Sequence, residues 1–449
     1  MKKLFELFFV ALISLTVSGQ ELHIKKPALS DTEALSLEMQ GLATDYLQQS
    51  QTGEFLSKPN DLYKFEILAG QYKASIRTIQ SLRENSALNY GHPAYMPYEL
   101  FSKAKIEESA LGKGFNASYQ SVFKAYLDTC DDGQAHSAHI VFTTYDAVAQ
   151  FTRSFESNYD DLAGRPLSYQ EAETLLRSYF IYHVYSLTEP IVKEALKKDE
   201  NKRYVIKEEV IISPRDGAAL SVITARKRNT APMPAVLIFT IYADQGNTNH
   251  ALLAASKGYV GVVATSRGKR LSKDPIEPYI HEYKDVYAVI DWISQQDWNN
   301  KKVGMYGGSY NGFTQWASMK EKVHPALKTI IPSVSVAPGI DAPMENNVFL
   351  NFPYKWIPYV TNNKFLDDAA NNDRQRWNDL EQTWFSSGAA YNKMDSIEGT
   401  SRPLFQEWIS HPSYDAYWQG MIPYKEEFAH IDIPVLTTTG YYDDGQRGA

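Results

Sequence analysis

Cysteine is nearly absent from this chain: Cys130 is the one such residue in 449. A single thiol excludes an internal disulfide framework and a cysteine-based zinc site. Basic excess is absent too. Lys and Arg number 45 against 53 Asp and Glu, for a formal net charge of −8. No basic stripe stands out, so nucleic acid is not an expected partner. No stretch reaches the ~20 apolar residues that a bilayer span requires, so no stable membrane anchor is expected. No repeat of fixed period is evident. No clustered ligand pattern suggests a metal or a cofactor, and neither is expected. What remains, 43% hydrophobic and 22% charged residues, is the balance of a soluble globular chain longer than one ordinary domain.

The start reads Met1-Lys2-Lys3, then a mostly apolar run from Leu4 to Val17 interrupted by Glu6, then the small residues Ser18 and Gly19. That is the pattern of a secretory signal peptide. Residues 1–19 are therefore expected to be a signal peptide, and the protein to be exported to the periplasm or the cell exterior.

Residues 20–200 are expected to form a mainly α-helical region. Phe65, Leu68, Tyr72, Ile76 and Ile79 recur at spacings of three and four, as on one helix face. Ser168 and Glu171 have the spacing of a capping box, with Leu167 placed as a staple. His136 and His139 lie near Asp131 and Asp132, and the pattern fits a polar loop better than a metal site. The charged run Lys197 to Arg203 reads as a linker into the next domain. A dimerising or accessory role for this region leaves a homo-oligomer open.

From 201 to 449 the pattern is α/β. Strand-like runs Val205 to Ile212 and Leu220 to Ala225 flank Asp216-Gly217, a hairpin signal. Ala235 to Thr240 and Tyr259 to Ala264 are continuous apolar runs, as in a parallel sheet buried on both faces. Tyr283 to Gln295 is helical, with Val286, Ile290 and Ile293 on one face. Lys328 to Val334 and Pro434 to Thr439 read as further strands. Between them Lys301 to Thr314 carries Gly307-Gly308-Ser309-Tyr310-Asn311-Gly312, followed by a helix-compatible segment from Phe313 to Lys322. Strand, sharp turn and helix with a serine at the tip is the shape of a nucleophile elbow. Alone, these letters also fit a glycine-rich turn whose serine caps a helix. The usual G-x-S-x-G pattern has Gly where this chain has Asn311.

In order along the chain stand Arg215-Asp216-Gly217, Phe239-Thr240-Ile241-Tyr242, Gly258 to Val263 with Ser266-Arg267-Gly268, Trp292 to Trp298, the G-x-S-Y-x-G elbow, and Gly440-Tyr441-Tyr442-Asp443. This set resembles the serine hydrolases grouped with Xaa-Pro dipeptidyl-peptidases, cocaine esterase and α-amino-acid ester hydrolases. The resemblance spans about Tyr204 to the C-terminus. It implies an α/β-hydrolase fold and a hydrolase cleaving peptide, amide or ester bonds of a small substrate through an acyl-enzyme.

By the same resemblance, Ser309 is the nucleophile, the backbone N–H of Tyr310 the first oxyanion donor, and the Tyr242 phenol the second. Asp443 orients the histidine, with Asp444 adjacent as a rival. Relatives carry Asp before x-R-G where this chain has Thr265. Residues from about 337 to 430 are expected to form a helical cap; five of the eight tryptophans fall there, and aromatic-rich cavities suit small ligands. In this fold the order is serine, acid, histidine. Ten histidines are present and none follows Asp443, so the sequence is expected to be a fragment lacking its catalytic histidine. The other function class left open is a non-catalytic binding protein on an α/β-hydrolase frame. A metal-dependent hydrolase has no ligand pattern to support it.

Overall fold

The structure, a computed structural model, describes residues 21–52, 59–84, 91–143 and 147–443. The segment read as a signal peptide, 1–19, lies outside the described residues, as does Asp444. The chain divides into two compact units, 1–130 with 137–197 and 131–136 with 198–449.

The first unit is built from helices α1 (Thr32–Thr52), α2 (Leu62–Leu68), α3 (Tyr72–Glu84), α4 (Gly91–Leu111), α5 (Phe115–Thr129), α6 (Asp132–Thr143), α7 (Ala147–Leu162) and α8 (Tyr169–Arg203). Two short strands, β1 (Leu22–His23) and β2 (Pro166–Leu167), pair beside them. The stripe from Phe65 to Ile79 belongs to two helices and not to one. Gly70, at φ +75°, breaks the run, because a left-handed residue cannot continue an α-helix. The capping box forms: Ser168 N–H donates to Glu171 at 2.8 Å, and Glu171 N–H to the Ser168 hydroxyl at 3.3 Å.

The run Lys197 to Arg203 is not a linker but the last turns of α8. Lys and Glu are good helix formers, and an Arg203–Asp199 pair at 2.7 Å, one turn apart, adds to this. His136 and His139 lie in α6, not in a loop. Asp132, in the stretch assigned to the second unit, accepts from Arg203 at 3.0 Å and Lys227 at 2.6 Å. Among the described residues no group of three or more His, Cys, Asp or Glu could hold a metal ion, and no helix is long and apolar enough to cross a membrane.

The second unit holds a six-stranded sheet. Its strands are β3 (Tyr204–Ile212), β4 (Ala219–Lys227), β5 (Met233–Thr240), β6 (Val260–Thr265), β7 (Asn299–Gly308) and β8 (Leu327–Ser333). Their order is β3-β4-β6-β5-β7-β8. β3 and β4 pair antiparallel from Tyr204↔Lys227 to Ile212↔Ala219. β6, β5, β7 and β8 run parallel. Alternate residues feed two cores. Val222, Leu237 and Val262 pack with Val286, Val289, Ile290 and Ile293. Their neighbours Ile223, Ile238 and Val263 pack with Ala251, Leu252 and Ala255. Helices α9 (Asn247–Ser256) and α10 (Glu282–Ser294) thus cover opposite faces, which is why these strands read as unbroken apolar runs. With α11 (Tyr310–Ala317) following β7, this is an α/β-hydrolase fold. The helix starts at Tyr310, earlier than the Phe313 suggested by sequence, and ends at Ala317.

The expected strand Pro434 to Thr439 is an irregular parallel run beside β8. It bridges at Ile330↔Val435 and Ser333↔Thr438, with Val334 N–H donating to Thr438 at 2.7 Å. The insertion between β8 and this run contains a small hairpin, β9 (Met344–Glu345) and β10 (Val348–Phe349). It also contains helices α12 (Phe352–Thr361), α13 (Asp368–Asn372), α14 (Arg374–Ser387), α15 (Met394–Glu398), α16 (Pro403–Ser410) and α17 (Ala416–Gln419). Its core joins Trp377, Trp408 and Trp418 to Tyr310 and Phe313 of α11.

Candidate active site

Ser309 stands where β7 ends and α11 begins. Its backbone is at φ 57°, ψ −123°, a region that costs a non-glycine residue on the order of 1–3 kcal/mol. The surroundings hold it there. Ser309 N–H donates to the Ser333 carbonyl of β8 at 3.0 Å, and the Ser309 carbonyl accepts from Gly312 and Phe313 at 2.9 and 3.0 Å. Buried Gln315 adds a staple. Its amide donates to the carbonyls of Gly307 at 3.1 Å and Asn311 at 2.9 Å, and accepts from Ile331 N–H at 2.8 Å. Thr314 donates to Phe239 O of β5 at 3.0 Å. Strand ends and elbow helix are thus locked together.

Tyr242 follows β5 by two residues, with its amide fixed to the Thr240 hydroxyl at 2.9 Å. Its phenol accepts from Trp356 Nε1 of α12 at 3.3 Å, and its ring packs edge-on against Tyr310, the residue after Ser309, with centroids 6.1 Å apart. Burial pushes this phenol above its ordinary pKa, and the polar groups of Trp356 and Ser309 beside it pull it back.

Tyr310 is fully buried. Its hydroxyl donates to Glu282 Oε1 at 2.5 Å and accepts from Tyr279 N–H at 3.0 Å. Glu282 also accepts from Ser266 Oγ at 2.9 Å. Burial drives the Glu282 carboxyl up to about 7, against the pull of the Tyr310 bond. The ring after the nucleophile is therefore clamped, which fixes the backbone N–H at the start of α11.

The structure brings Ser309, Tyr242 and Tyr310 together. Asp443 stands on the turn after the run beside β8, its amide donating to Gly440 O at 3.1 Å. His411 Nδ1 is engaged with Asp415 at 2.7 Å, and His430 Nε2 with the Met319 carbonyl at 3.0 Å. The loop after β6 carries Lys269, fully buried, with Nζ donating to the carbonyls of Val360 and Asn363 at 2.8 Å each. Burial lowers this ammonium to about 8.

Sequence reasoning missed Glu282, Gln315, Trp356 and Lys269. Gln315 was within reach, as a buried amide on the elbow helix. For the others no local pattern exists.

The sequence model of the X-Pro dipeptidyl-peptidase (S15) family matches residues 216–449. The chain belongs to this family. It is 26% identical over 256 residues to a cocaine esterase of Rhodococcus sp. (strain MB1 Bresler), covering 54% of this chain and 44% of that protein. It therefore spans less than half the length of that curated relative. Among solved structures, an α-amino acid ester hydrolase labelled with selenomethionine shares 22% identity at a TM-score of 0.43, over 55% of this chain and 45% of that one. A CocE/NonD family hydrolase from Staphylococcus aureus shares 18% at 0.39, over 55% and 48%.

Two departures from the resemblance noted above have physical accounts. A Cβ on Gly307, whose φ is +142°, would lie 2.6 Å from Asn311 Cβ. Gly307 thus makes the room that Asn311 uses. Gly312, one position later than the pattern expects, lies where a Cβ would come within 2.8 Å of Ser335 Cα. Thr265 replaces the acid of the x-R-G loop, but Arg267 does not lack partners. It bonds Asp285 at 2.8 and 2.7 Å and Asp216 at 2.6 Å. It thereby ties the β3–β4 turn to α10.

Proposed function

We propose that this chain carries the acyl-transfer site of an exported serine hydrolase that cleaves peptide, amide or ester bonds of small substrates, in the manner of an X-Pro dipeptidyl-peptidase. The observation that carries the reading is the strained Ser309 elbow, with the Tyr242 ring packed edge-on against the next residue, Tyr310. Ser309 attacks the acyl carbon. The Tyr310 N–H and the Tyr242 O–H donate to the oxygen on which charge develops, where such donors contribute most. Trp356, Trp408 and their neighbours give the site apolar walls.

The proton acceptor in this reading is a histidine oriented by Asp443. In this fold that histidine follows the acid in chain order. Export rests on the basic, apolar and small residues of the first nineteen positions.

A serine-directed fluorophosphonate tests the reading on the full-length protein. Mass spectrometry should place the adduct on Ser309, and Ser309→Ala should abolish it. Absence of labelling, with no turnover of Xaa-Pro amides, amino-acid esters or short acyl esters, would favour a binding protein on a hydrolase frame.

A further inference from the structure

The cap does more than wall the substrate. Trp356 lies on α12, 114 residues from Tyr242 in sequence, yet its indole N–H donates to the Tyr242 phenol oxygen at 3.3 Å. An indole N–H can only donate, whereas a phenol has one hydrogen to give and two lone pairs to offer. The bond from Trp356 fills one lone pair. The phenol's own hydrogen is left for an acceptor at the elbow, where the Ser309 side chain lies beside the phenol.

The indole is held in that orientation. It stacks with Tyr279 at 5.8 Å and Trp408 at 6.2 Å, and lies 6.0 Å from the Tyr310 ring. The backbone is tied as well. Leu366 N–H donates to Ala243 O at 3.0 Å, one residue from Tyr242. Lys269 holds the Val360 and Asn363 carbonyls around the end of α12. The segment at the end of the helix bearing Trp356 is thus tied both to the loop bearing Tyr242 and to the loop after β6.

We infer that Trp356 is a positioning residue, which aims and polarises the Tyr242 hydroxyl as the second oxyanion donor and so makes the cap part of the oxyanion site. This rests on the acyl-transfer reading above. Hydrogen bonds in series strengthen one another in a low-dielectric interior. The benefit appears where charge develops on the acyl oxygen, in the transition state, so it falls on kcat and not on KM.

A double-mutant cycle on the full-length protein with an activated ester decides the matter. Trp356→Phe should lower kcat roughly 5- to 30-fold with KM within about twofold. In the Tyr242→Phe background the same change should cost nothing further. Equal losses in both backgrounds would make Trp356 a packing residue and overturn the inference, as would an unchanged kcat. Phenylalanine leaves a void, so 3-benzothienylalanine at position 356, two-ringed but without N–H, is the control. It should show the same loss, and a normal kcat there overturns the inference. Ser309→Ala is measured alongside. Turnover surviving in that variant sinks the hydrolase reading and the inference with it. A dead Ser309→Ala with an additive cycle sinks only the role of Trp356.

Discussion

The helical unit and the α/β unit both bury clusters of aromatic rings, and the two clusters behave differently. In the helical unit, Phe155 packs against Tyr159, Tyr179 and Tyr182 with centroids 5.0–5.5 Å apart, and ring meets ring in one core. In the α/β unit, Tyr242, Tyr310 and Trp356 also pack, but their polar tips have assigned partners around the strained Ser309: the Trp356 N–H is on the Tyr242 phenol, and the Tyr310 hydroxyl is on Glu282. Aromatic stripes of the same appearance therefore give a core in one place and a site in the other. What separates them is a backbone conformation that only surrounding bonds can hold.

The comparison is broken most directly at Ser309. Ser309→Ala in the full-length protein should reduce turnover by roughly 10⁴ to 10⁶ while leaving thermal stability nearly unchanged. Full activity in that variant would remove the distinction. In the helical unit the expected effect is the reverse. Phe123→Ala, at a fully buried ring, should cost about 3–5 kcal/mol of stability, read by denaturant melts. The turnover of the protein that remains folded should not change. Tyr242→Phe comes next, with a loss of about 10² to 10³ in kcat. A change within about twofold would move the second oxyanion donor to a backbone amide such as that of Ala243.

The smallest effects have opposite signs with pH. Burial lowers His183 to about 4 in the helical unit. Its neutral form is favoured in the fold, so its contribution is complete above ~6.5 and is lost as pH falls toward 4. Burial raises Glu282 to about 7. Its protonated form is favoured, so its contribution is complete below ~4.5 and is lost as pH rises through 7. Each shift corresponds to roughly 3 kcal/mol. His183→Gln should flatten the acid side of the stability profile and Glu282→Gln the neutral side. Melting curves from pH 4 to 8, in which either variant keeps the parental slope, would refute the assignment for that residue.

Local features were legible from residue order alone. The hairpin at Asp216-Gly217, the buried strands β5 and β6, helix α10 to within one residue at each end, and the Ser168–Glu171 box all declare themselves through short-range patterns. The elbow did too, since Gly307, Ser309 and Gly312 meet steric demands within six residues. Three errors were also local. Gly70 splits a stripe that keeps its period across the break. Charged residues at 197–203 look like a linker because they are polar, yet they are good helix formers. Two histidines beside two aspartates suggested a loop where a helix runs.

What residue order could not show is the support of the site. Glu282 meets Tyr310 across 28 residues, Lys269 meets Val360 across 91, and Trp356 meets Tyr242 across 114. Each is an ordinary residue until the sheet brings its partner in.

Lys269 has a chemical consequence of its own. With its amine at about 8, roughly half would be neutral at pH 8, far more than for a surface lysine. It is then intrinsically among the readier amines for an acylating reagent, but its nitrogen is closed off by peptide carbonyls. Its rate of modification is set by how often residues 360–366 lift away, not by its basicity. Timed acetylation at this one position would serve as a clock for the opening of the cap.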